Sequence, residues 1–66
     1  MLLCSCGKPA LYKIKYYIGE INPREEVTPS CKDCIDKKTD SLLTTVESVH
    51  VFDVTDKYIE SVTQNI

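Results

Sequence analysis

Four cysteines fall in two close pairs, "CSCG" at residues 4–7 and "CKDC" at 31–34. Thiolates are soft ligands. A set of four suits a tetrahedral zinc ion, and iron or copper(I) are other metals that sulfur accepts. Cys31 and Cys34 are three residues apart, so both sulfurs point to one side if this stretch is helical. Ser30 is a suitable N-cap, with Asp33 three residues on as in a loose capping box. The free N–H groups and positive dipole end of a first turn would favour ionised thiols there. Cys4 and Cys6 need another geometry. Two residues of regular strand advance about 6.6 Å, whereas two sulfurs on one ion lie at most about 4.6 Å apart. The backbone must therefore curl, Gly7 permits the dihedrals this requires, and residues 4–9 read as a metal-binding knuckle released by Pro9.

Joining the pairs closes a gap of 24 residues, at an entropic cost of about 3 kcal/mol plus a constant. Apparent binding of structural zinc is on the order of 10–16 kcal/mol, so the metal term wins. With Cys4, Cys6, Cys31 and Cys34 all used, no coordination position stays open, and such a site is structural rather than catalytic. The apo chain is then expected to be largely unfolded. Disulfides or unligated thiols are the alternatives. A thiol redox centre at Cys31–Cys34 is a further one, but it needs βαβ surroundings for which the chain has no room. His50, the only histidine, is a replacement ligand or, more simply, a solvent-facing strand residue.

The elements that must hold these thiols are partly visible. "LYKIKYYI" (11–18) alternates, with Tyr12, Ile14, Tyr16 and Ile18 on one face and Lys13, Lys15 and Tyr17 on the other. That pattern predicts a half-buried strand. Gly19 and Asn22-Pro23 break it, and a return strand near Glu26–Thr28 would complete a hairpin. A helix is expected from about Cys31 to the mid-forties, since Ile35, Leu42, Leu43 and Val46 recur near the helical period. The β-branched run that follows predicts a strand at 48–54. Thr55 would then cap a short final helix in which Tyr58, Ile59, Val62 and Ile66 share a face. A helix of about ten residues is marginal alone and would have to dock.

Knuckle, hairpin and helix with a ligand pair in its first turn, carried by "CSCG" and "CKDC", resemble the treble-clef zinc fingers over roughly residues 1–46. The resemblance implies a small α+β metal-stabilised domain, with Cys4 and Cys6 as knuckle ligands and Cys31 and Cys34 as helical ones. It also suggests a small stand-alone zinc-binding protein of prokaryotic or phage type. The spacing departs from the commonest knuckle, which has two residues between its cysteines. Treble clefs serve nucleic-acid binding, protein binding and enzymes alike, so the resemblance carries architecture more than function.

A chain of 66 residues makes one domain, read as a zinc-binding part (1–46) with a strand–helix extension (47–66). A core this small rarely leaves more than roughly 3–5 kcal/mol, so an additional tie is expected. "MLL" is too short for a signal peptide and no run reaches a membrane span. The expectation is a soluble cytoplasmic protein, where thiols stay reduced. Charge divides unevenly, +2 over residues 1–38 and −4 over residues 39–66, giving −2 in all.

Two roles compete. A protein-interaction or regulatory module would use the apolar residues of the tail, namely Val49, Val51, Phe52, Val54, Tyr58, Ile59 and Val62, against a protein partner or a second copy at a strand edge. A nucleic-acid-binding regulator would use Lys13, Lys15, Arg24, Lys37 and Lys38, with Tyr12 and Tyr16 stacking on bases. A zinc ion on four thiolates takes the total charge to about −4, which opposes strong nonspecific DNA binding. Lys8 and Lys32, adjacent to the ligands, would offset that charge locally. No catalytic grouping or phosphate-cradling glycine loop appears, so neither enzymatic activity nor a small-molecule substrate is expected.

Overall fold

The computed structural model describes residues 2–64. Strand β1 (Tyr12–Ile18) and strand β2 (Arg24–Ser30) form the first hairpin, helix α1 (Ile35–Leu43) follows, and strands β3 (Ser48–Asp53) and β4 (Tyr58–Thr63) complete a second hairpin. All pairings are antiparallel, and the sheet order is β2-β1-β3-β4.

The alternation along β1 sets the core. Ile14 lies opposite Thr28 of β2 and Val51 of β3, and Ile14 and Val49 are fully buried, with Val51 and Ala10 nearly so. Helix α1 packs against β3. Its buried residue is Thr39, a polar side chain satisfied by donating to the Asp36 carbonyl at 2.9 Å. Gly19 turns the first hairpin at φ +107°, where a Cβ would stand 3.1 Å from the Asn22 carbonyl oxygen. Asp53 organises the second turn, its Oδ1 accepting from the Thr55 N–H, the Thr55 hydroxyl and the Lys57 N–H.

Three expectations are corrected. The helix does not begin at Cys31. Strand β2 runs through Ser30, residues 32–34 form a turn, and Cys34 is the N-cap of a nine-residue helix. Ser30 is buried and donates its hydroxyl to the Cys31 carbonyl instead of capping the helix. The second correction concerns the C-terminal segment, which is strand β4 and not a short helix. Its pairing with β3 supplies hydrogen bonds to a neighbouring strand, whereas a ten-residue helix would be marginal alone. Ile66, expected on the same helical face, lies outside the described residues. As a result the architecture is mainly a four-stranded antiparallel sheet with one short helix, and not a treble-clef-like finger with a strand–helix tail. Strand β3 lies beside β1 at the centre of the sheet, so residues 48–63 contribute half of its strands.

Candidate metal centre

The knuckle is built by backbone bonds. The Cys4 N–H donates to the Lys8 carbonyl at 2.8 Å, the Gly7 N–H donates back to the Cys4 carbonyl at 2.9 Å, and the Ala10 N–H reaches the Leu2 carbonyl at 3.0 Å. Leu3 and Pro9 pair across this loop. Gly7 sits at φ +92°, a conformation that costs an L-residue but not glycine. On the other side, the Cys34 N–H bonds the Cys31 carbonyl at 3.2 Å, which closes the turn that carries the second pair. The Leu11 N–H donates to the Ser30 carbonyl at 3.0 Å, so the exit of the knuckle is tied to the end of β2, directly before Cys31.

These constraints bring all four sulfurs within 4.8 Å of one another. Cys6 Sγ and Cys31 Sγ are 3.5 Å apart. In a tetrahedron with metal–sulfur bonds of about 2.3 Å, sulfurs are separated by about 3.8 Å, a value inside the observed spread. Cys4 and Cys31 are buried, Cys34 is half-buried and Cys6 is exposed. The donor set and its spacing fit a closed four-sulfur metal site. Zinc suits it, and sulfur alone does not single out one metal.

The thiols ionise unequally. Backbone N–H groups of Cys6 and Cys31 bring the Cys4 thiol down to about 5, against a smaller opposing effect of burial. Burial raises Cys31, but hydrogen bonds from Cys6 and Cys34 outweigh it and lower the group overall. Cys34 is pushed up to about 12, chiefly by its sulfur neighbours Cys31 and Cys6. Four thiolates repel one another at this range, and a divalent cation is what would let all four ionise together.

No family model matches this chain. Neither a curated protein nor a solved structure does so either.

Lys8 and Asp33 were brought together by the two halves of the site, with Nζ and Oδ2 2.6 Å apart. The carboxylate raises the Lys8 pKa, first by hydrogen bonding, and Lys8 correspondingly lowers Asp33. Asp33 caps no helix, and its place between two ligands next to Lys32 is the signal in the sequence for such a bridge. His50 is not among the clustered ligands. It lies on β3 between Lys15 and Ser61, with its ring 6.3 Å from Tyr58.

The basic residues considered for nucleic acid are mostly engaged. Lys13 pairs with Asp56, Lys15 with Glu25 and Arg24 with Glu26, while Lys38 donates to the Pro29 carbonyl at 2.7 Å. Lys37 is exposed on α1. Of the apolar residues considered for an interface, Val49 and Val51 belong to the core and are unavailable as surface. Phe52 and Val62 are half-buried, and Tyr58 and Ile59 are exposed. Phe52 and Tyr58 meet edge-to-face at 5.4 Å between centroids, and Lys15 lies over the Phe52 ring.

Proposed function

We propose that this chain is a small protein-interaction module whose fold is held by a structural zinc ion on Cys4, Cys6, Cys31 and Cys34. The observation that carries the reading is the convergence of four sulfurs from two separate turns within 4.8 Å. In this reading Cys4 and Cys31 form the buried side of the site and Cys6 the solvent side, and the metal, when bound, supplies a crosslink with no open position for chemistry. Lys8 keeps its charge beside the sulfurs and offsets part of theirs.

Interaction is favoured over nucleic-acid binding because four of the five candidate cations already have partners within the chain. Exposed Tyr58 and Ile59, with Phe52 beside them, supply an apolar surface on the second hairpin instead. Among the described residues no helix is long and apolar enough to cross a membrane.

Native mass spectrometry of the purified protein, followed by chelation, tests the metal assignment. One zinc per chain is expected, with loss of the far-UV circular dichroism signal when the ion is removed. A metal-free chain that keeps its spectrum and melting curve would overturn it.

A further inference from the structure

The two outer strands of the sheet are treated differently. Along β2 the hydrogen-bonded pairs with β1 alternate. With His50 and Phe52 facing β1, the pairs at residues 24, 26, 28 and 30 turn inward, and the backbone groups of Glu25, Val27 and Pro29 turn outward. That edge is closed to further pairing. Pro29 has no N–H, its carbonyl already accepts from Lys38, and charged Arg24, Glu25 and Glu26 occupy the rest of the strand.

Strand β4 is less guarded, with one charge, Glu60, and one register shift, opposite Val51/Phe52. The Gln64 N–H donates to the Glu47 carbonyl at 2.9 Å, and the register pairs Val62 with Val49 and Glu60 with Val51. The alternation of an antiparallel ladder then turns the N–H and C=O groups of Ser61 and Thr63 away from β3, while at Ile59, where the register shifts, the carbonyl turns outward and the N–H turns toward β3. The strand "YIESVT" contains no proline, lysine or arginine, and among the described residues no side chain bonds its outer groups.

We propose that β4 is a self-pairing edge, and that two copies of this chain join antiparallel through it with Ser61 on the twofold axis, giving a continuous eight-stranded sheet. A twofold perpendicular to the sheet pairs residues of like orientation only. Centred on Ser61, it places Ser61 opposite the partner's Ser61, where the two residues exchange both hydrogen bonds, and Ile59 opposite the partner's Thr63, where the outward Ile59 carbonyl accepts from the N–H of the partner's Thr63. Glu60 falls opposite the partner's Val62, and no like charges stand directly opposite. Moving the axis to Glu60 would set two carboxylates face to face. The fit of this edge to itself, in hydrogen bonding and in charge, names a second copy as its occupant. The proposal rests on the interaction reading above and makes the partner specific.

Sedimentation velocity of the metal-loaded protein across a wide concentration range, with native mass spectrometry on the same samples, is the test. A dimer with one metal per chain is expected. Amide exchange should slow at Ser61 and Thr63 as concentration rises, and stay unchanged at Glu25 and Val27. Ser61→Pro removes an outward N–H while leaving the bonds to β3 in place, and should weaken the dimer on the order of tenfold or more. A metal-bound protein that stays monomeric throughout overturns this inference and leaves the metal site standing. So does a dimer whose protection appears elsewhere, or one that a folded Ser61→Pro variant retains. If that variant fails to fold, amide exchange on the unaltered chain decides alone.

Discussion

Lys8 and Asp33 meet 2.6 Å apart, joining the loop that carries the first two cysteines to the turn that carries the others. Both side chains are well exposed, at 61% and 69%, so solvent screens the pair and it contributes little to stability. Lys8→Met should therefore leave the fold intact and lower zinc retention only a few-fold in a chelator competition. A loss of several orders of magnitude would mean that Lys8 does more than balance charge.

The four cysteines should not be equally sensitive. Cys4 and Cys31 are 4% and 3% exposed, and Cys6 lies at the surface. Cys4→Ser and Cys31→Ser each remove a ligand and also place a hydroxyl in the core, which adds a desolvation cost of about 1–3 kcal/mol. Cys6→Ser removes a ligand alone. Thermal melts in the presence of zinc should rank the first two below the third, and equal melting curves would contradict the assigned burial.

Ile14 is the hub of the sheet, fully buried between Thr28 and Val51. Truncation to alanine at such a site costs about 2–5 kcal/mol, comparable to everything a core of this size supplies. Ile14→Ala should be folded only while metal is bound, if at all, whereas Ile14→Val should lose about 0.5–1.5 kcal/mol. Urea denaturation of the zinc-loaded proteins reads both.

Lys15 supplies the pH dependence. Its hydrogen bond and attraction to Glu25 raise its pKa above the ordinary 10.5, and its ammonium lies 5.0 Å from the Phe52 ring centroid. A raised pKa in the folded state means stability that is present below 10.5 and lost as pH climbs through the folded value. The side chain is 35% exposed, so Lys15→Met should lower stability modestly at neutral pH. The difference from the unaltered protein should narrow above pH 10.5. A difference that stays constant to high pH would assign the effect to packing.

Much of the first hairpin was legible. Strict alternation from Tyr12 to Ile18 is a pattern that only a strand satisfies, and the cysteine spacing with Gly7 required a curled loop. The start of α1 was misread because Ser30 has the chemistry of an N-cap, while the pairing of β2 with β1 extends through that residue and leaves the cap position to Cys34. Strand β4 was hidden for a physical reason. The register shifts at Val51/Phe52, so that Phe52 pairs with Tyr58 while Val51 pairs with Glu60, and the extra residue destroys the two-residue period in the sequence. What remained, Tyr58, Ile59 and Val62, imitates the spacing of a helical face. The pairing of β3 with β1 spans most of the chain and leaves no local signal, which is why Val49 and Val51 looked like surplus apolar residues and not like the centre of the core.

All four sulfurs belong to the first 34 residues, whereas β3 and β4 are made afterwards. During synthesis an ion can be captured while the rest of the chain is still inside the ribosome, leaving the free side of β1 waiting as a template. The place of the ligands along the chain thus allows the site to close before the hairpin of the last two strands is available to pair with β1.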